Sequence, residues 1–137
     1  MYIGISAMVK NRNAVVDYVT CYFGDESISL SWGMTEDSMK AVSCGYYEYE
    51  LTGSRVFYTD DDGRTVYPDA EMLTKLMTAD RFVLCLRDKD TEEPEKGFCR
   101  MSVGFEEFDS NGCYYYFDAP ADKIFVEGRE ETNTTYR

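Results

Sequence analysis

The chain contains no histidine. That absence removes the commonest general base of enzymes and the commonest metal ligand. It also leaves serine and cysteine without their usual activating partner. Neither GxGxxG nor GxxxxGK occurs, so there is no glycine-rich loop of the kind that cradles phosphates. The cysteines form no CxxC pair, the spacing that marks many zinc and thiol-redox sites. No apolar run approaches the ~18 residues that a membrane-spanning helix needs. Basic charge is scarce: 14 Lys and Arg stand against 26 Asp and Glu, giving a net charge of -12 and a pI near 4.3. Such a surface repels nucleic acid and anionic membranes and attracts basic surfaces. Tryptophan occurs once, whereas tyrosine occurs 12 times.

What is present suits one soluble domain spanning 1–137. A chain of 137 residues that is 44% apolar buries enough surface for a core without staples. Cys21, Cys44, Cys85, Cys99 and Cys113 are odd in number, and most sit in hydrophobic runs. They read as reduced, core-type thiols rather than a disulfide framework, which makes a reducing cytoplasmic compartment the expectation. The first ten residues lack a basic stretch ahead of a long apolar one, so no export signal is expected there. The glycosylation-type triplet at Asn133 is accordingly read as chance. The polar tail from about 128 is expected to be loosely held.

The dominant period is two. Ile28, Leu30 and Trp32 alternate with serines, and Tyr47, Tyr49 and Leu51 alternate with Tyr46, Glu48 and Glu50. The stretch from Arg81 to Arg87 is apolar on both faces and reads as a central strand. Cys99, Met101, Val103 and Phe105 form one face of another. Ala14 to Phe23 and Lys123 to Glu127 complete the strand-like segments. The core is expected to include Phe82, Leu84, Leu86, Met101, Val103, Leu73 and Leu76. Asn111 and Gly112 predict a type I′ hairpin turn, Gly63 a bulged turn, and Gly24 and Asp25 a third reversal. A helix is expected from about 69 to 79, with Asp69 as cap and Met72, Leu73, Leu76 and Met77 on one face. Glu36 and Asp37 suggest a second, short helix over 35–42. The fold class expected is mainly β: a single antiparallel sandwich-like or bent-sheet domain with one packed helix.

No cofactor or metal is expected. Asp60, Asp61, Asp62 and Gly63 invite a calcium reading, but counting back from Gly63 puts Tyr58 at the first ligand position. The tyrosines carry more information. With Tyr47 and Tyr49 inward, Tyr46, Glu48 and Glu50 share the outer face. With Tyr115 and Phe117 inward, Tyr114, Tyr116 and Asp118 share it. Exposed tyrosine is enriched at interfaces, and carboxylates beside it accept arginine or lysine. The competing reading is that tyrosine rings merely cover a sheet face with their hydroxyls in water.

The reading taken is a non-catalytic acidic protein that inhibits or adapts a partner with a basic surface, such as a nucleic-acid-handling protein. Its contact residues would be Tyr46, Glu48, Glu50, Tyr114, Tyr116 and Asp118, with Asp60, Asp61 and Asp62 as a secondary acidic contact. In size and charge the chain is similar to small proteins of phage counter-defence (anti-CRISPR-like proteins) and to toxin–immunity pairs, a likeness of class with no motif behind it. The alternatives are a small-molecule or glycan-binding β domain and a carboxylate-dependent hydrolase.

Overall fold

Alternating residues build a strand wherever every second side chain can be buried, and here that rule produces one large sheet. The computed structural model describes residues 1–128; the tail expected to be loose lies outside them. The strands are β1 (Tyr2–Val9), β2 (Ala14–Phe23), β3 (Glu26–Ala41), β4 (Tyr47–Thr59), β5 (Thr65–Val66), β6 (Arg81–Asp88), β7 (Phe98–Phe108), β8 (Tyr114–Asp118) and β9 (Ile124–Val126), with one helix, α1 (Ala70–Leu76), between β5 and β6. Their order across the sheet is β8-β7-β1-β4-β3-β2-β6-β9, with β5 paired to β4. All pairings are antiparallel except that of β6 with β9.

The β3–β4 hairpin is the spine. Its register runs from Ser31 opposite Phe57 to Ala41 opposite Tyr47, while β2 pairs only with Glu26 to Leu30 of β3. Beyond Leu30, among the described residues, β3 therefore has a strand on one side only. The hairpin carries Arg55 at φ 55 beside Gly33, whose missing side chain leaves room for the Arg55 Cβ. The sheet curls into an open half-barrel around an aromatic cluster. Phe82 on β6 packs against Phe105 on β7 and Phe117 on β8, with ring centroids 5.9 and 6.0 Å away. The two ends of the sheet thus meet over one core.

That core contains Ile3, Ile5, Val9, Val19, Leu30, Tyr49, Leu51 and Phe98, together with every residue expected there: Phe82, Leu84, Leu86, Met101, Val103, Leu73 and Leu76. The helix starts where expected: the Asp69 carboxylate accepts from the Met72 N–H at 3.1 Å. Leu73 and Leu76 face inward.

The helix ends at Leu76 instead of about 79, because the chain turns at Met77, and Met77, expected on the inner face, is exposed. Four further expectations are corrected. Residues 35–42 are not helical: Thr35 to Ala41 continue β3 in unbroken register against β4, because a paired partner strand outweighs a weak helical pattern. Cys99 does not share the inner face with Met101. Between Ser6 and Met8 of β1 the partners on β7 jump from Ser102 to Cys99, an extra residue accommodated by Arg100 at φ 50. The bulge turns Phe98 inward and leaves Cys99 half-buried. The turn at Asn111 is not type I′, since only Gly112, at φ 80, takes the left-handed conformation. Finally, Tyr115 does not point into the core; it is 41% exposed, beyond the last inward ring, Phe117.

Candidate functional site

The outer face of β3, β4, β1, β7 and β8 is where the sequence placed its tyrosines and acids. Register sets neighbours across it. Glu48 faces Lys40 on one side and Met8 on the other. Glu50 lies opposite Ser6, which lies opposite Ser102. One step on, Thr52, Gly4, Gly104 and Asp118 form a row across four strands. The next row brings Tyr2, Glu106 and Tyr116 together, and the last pairs Phe108 with Tyr114.

Between these rows lies a shallow groove of about 330 Å³. Its floor is Gly4, Ser6, Ser102 and Gly104. Its walls are Tyr2, Glu50, Glu106, Tyr116 and Asp118. Glycine is what makes it a groove. Nothing stands within 4 Å of the position a Cβ would take at Gly4. At Gly104 a Cβ would lie 2.9 Å from Asp118 Oδ1 and 3.4 Å from the Tyr116 hydroxyl. Gly104 therefore gives room to the bond in which the Tyr116 hydroxyl donates to Asp118 at 2.5 Å. That bond pushes the tyrosine pKa up to about 12.

The neighbouring tyrosines are held in the same way. The Tyr114 hydroxyl donates to Glu106 at 2.8 Å, which also raises its pKa. The Tyr115 hydroxyl donates to Asp109 at 3.0 Å, with the same effect. The rings of Phe108, Tyr114 and Tyr116 run in a row, at 5.2 and then 6.5 Å between centroids. All three are more than half exposed. The result is a row of rings in which Tyr114 and Tyr116 are each held by a carboxylate. Among the described residues, none of Glu48, Glu50, Glu106 and Asp118 is in an ion pair. The face presents exposed aromatic area beside carboxylates, with Lys40 opposite Glu48 at its margin.

Of the residues proposed from sequence, the structure brings Glu50, Tyr116 and Asp118 to one groove, with Tyr114 beside it and Glu48 one row beyond Glu50. Tyr46 lies outside the groove, past the start of β4, with the Lys10 ammonium 5.3 Å above its ring. The Asp60–Asp62 turn lies at the opposite end of β4. Asp60 Oδ1 accepts there from the Asp62 and Arg64 N–H groups, a task of turn formation. Asp60 and Asp61 border a second cavity, of about 410 Å³, with Asp25, Glu26, Phe23 and Lys75. The secondary acidic contact is thus a separate place. Tyr2, Glu106, Gly4 and Gly104 were not singled out from sequence. The usable signal was glycine in the interior of two strands, which marks a close approach or an open floor.

Five free cysteines are dispersed: Cys21 and Cys85 are buried, Cys99 is half-buried, and Cys44 and Cys113 are exposed. Burial pushes the thiol of Cys21 well up, and that of Cys85 up to about 11. Among the described residues, no group of three Cys, Asp or Glu side chains has the arrangement of a metal site, and no helix is long and apolar enough to cross a membrane. No protein-family model matches the chain, and neither a curated protein nor a solved structure matches it.

Proposed function

We propose that the protein is a non-catalytic acidic binding protein that inhibits or adapts a partner with a basic surface. The observation that carries this reading is the outer face of β4, β1, β7 and β8, where exposed tyrosines are held by Glu106 and Asp118 and, among the described residues, these acids form no ion pair. Rings fixed before binding lose little freedom on binding, and desolvated carboxylates favour arginine. A net charge of -12 steers such a partner toward the face. Proteins that handle nucleic acid carry surfaces of the required sign, which is the basis of the analogy with counter-defence and immunity proteins.

The test is capture from a host lysate, identification of the partner, and binding measured at low and high salt. A folded Glu48→Lys, Glu50→Lys double variant should bind more weakly and with a smaller salt dependence. Unchanged affinity with an unchanged salt slope would show that the face is only solvated. A second reading, a small-molecule or glycan-binding domain, is favoured by the groove over Gly4 and Gly104. In that case sugars or small cations, and no protein, would shift the Tyr116 resonances.

A further inference from the structure

β8 is the last strand of the sheet on its side, and its ladder determines which main-chain groups face outward. The Ala119 N–H donates to Val103 O at 2.9 Å, and the Asp109 N–H donates to Cys113 O at 2.9 Å. Between these pairs, Phe117 stands opposite Phe105 and Tyr115 opposite Glu107. Antiparallel ladders alternate bonded and non-bonded pairs. Residues 113, 115, 117 and 119 therefore turn their main chain toward β7. Tyr114, Tyr116 and Asp118 turn their N–H and C=O groups away from the sheet, and among the described residues no main-chain group pairs with them. The same three residues carry the rings and the carboxylate of the outer face.

We propose that β8 receives an extended segment of the basic partner as an added strand, with alternate arginine or lysine side chains laid beside Tyr114 and Tyr116 and reaching Glu106 and Asp118. This rests on the reading that the outer face binds a basic protein, and it specifies how. Main-chain bonds along an edge supply affinity in this mode, and alternate side chains supply specificity. Charge complementarity selects the occupant: a second copy, also at -12, would set Asp118 and Glu106 against their own kind. Among the described residues, the open stretch of β3 from Ser31 to Ala41 carries Glu36 and Asp37 beside Lys40, and its one ring, Trp32, is half-buried against the core. At the other end of the sheet, β9 has only three residues, two of them buried. Neither offers exposed aromatic anchors between carboxylates.

The experiment uses the full chain, labelled for amide hydrogen exchange by NMR, and four octapeptides: one alternating arginine with threonine, two of that sequence N-methylated at alternate amides, one along each edge, and one alternating glutamate with threonine. The arginine peptide should bind and slow exchange at Tyr114, Tyr116 and Asp118. Methylation of the edge that pairs should weaken binding by about tenfold or more, the loss expected for a few hydrogen bonds. Tyr114→Pro removes one outward N–H and no bond to β7. It should bind more weakly than Tyr114→Thr, which loses the ring alone. Equal binding by peptides methylated on either edge would overturn strand addition and leave the basic-partner reading standing. Equal binding by the glutamate peptide would overturn the basic-partner reading, as would no binding by any peptide together with no basic protein captured. Slowed exchange at β3 instead of β8, or a dimer paired through β8, would also overturn the proposal.

Discussion

Two buried or exposed tyrosines can look alike in sequence and serve opposite ends. Tyr49 is buried on the inner face, and its hydroxyl accepts from the Val16 N–H at 3.3 Å. Val16 stands at the β2 irregularity, where the partners on β6 jump from Leu86 to Leu84 across Val16 and Val19. Tyr49 thereby satisfies a main-chain donor near an interrupted ladder. Tyr49→Phe should cost about 1–3 kcal/mol in urea denaturation, the penalty for orphaning a buried N–H. Tyr116 keeps its ring outside, yet both residues have pKa values raised to about 12, Tyr49 chiefly by burial and Tyr116 chiefly by the bond to Asp118. A phenol whose pKa is raised by folding stabilises the fold fully below its unfolded value, near 10, and loses that contribution as pH climbs through the folded value. The tyrosine contribution should therefore be constant up to about pH 10 and fall between about pH 10 and 12, after an earlier fall that the buried thiols of Cys21 and Cys85 begin near pH 9. In an absorbance titration, Asp118→Asn should return one tyrosine toward ordinary behaviour and leave Tyr49 unmoved. Gly53 is constrained by sterics rather than charge: a Cβ there would lie 2.7 Å from Trp32 Cγ and 2.9 Å from Ile3 Cγ2. Gly53→Ala should destabilise by about 1–3 kcal/mol, as overpacking does.

At the scale of elements, period-two patterning carried far, and it failed where a residue was inserted. The strands around Leu30, Tyr49, Phe82 and Val103 and the Asp69-capped helix were legible because alternation and capping act locally. The β7 bulge was not, because one extra residue exchanges the faces of Phe98 and Cys99 without altering composition. The strand over Thr35 to Ala41 was hidden for a different reason: its support comes from pairing with β4 across the hairpin, and its own residues show no alternation. Gly104 and Gly4 read as gaps in apolar runs, and only their pairing across β1 and β7 turns them into a floor. Two hairpin turns share one construction. In Asp60–Arg64 and Asp109–Cys113 the first aspartate accepts from the N–H groups two and four residues on, and the fourth residue is a glycine at φ 81 or φ 80. Gly112→Ala should cost about 1–2 kcal/mol in thermal denaturation because a side chain resists that conformation. Arg100→Gly should be neutral or stabilising by up to about 1 kcal/mol, since it keeps the bulge and relieves the positive φ. Deletion of Arg100 should destabilise far more, by forcing Phe98 outward.

For the whole molecule, the decisive fact is that charge and shape are distributed differently. Negative charge is spread over the chain and includes the Asp60–Asp62 turn, whereas exposed rings gather where β7 and β8 meet. Long-range attraction depends on the total and weakens with salt, since the Debye length is about 8 Å at physiological ionic strength. Residence depends on what is desolvated at the contact, where aromatic anchors outweigh rim charges. The two contributions separate kinetically. Asp61→Ala removes one exposed charge far from the rings and should change the dissociation rate by less than about threefold, with a slight fall in association rate at low salt. Tyr116→Ala removes a ring, frees Asp118 from its bond and should raise the dissociation rate by about tenfold or more while leaving the salt dependence of association nearly intact. Surface plasmon resonance against the captured partner at two salt concentrations reads both quantities. If Asp61→Ala proved the more damaging change, the working surface would lie at the cavity beside Phe23, Asp25 and Lys75 instead of on the tyrosine face.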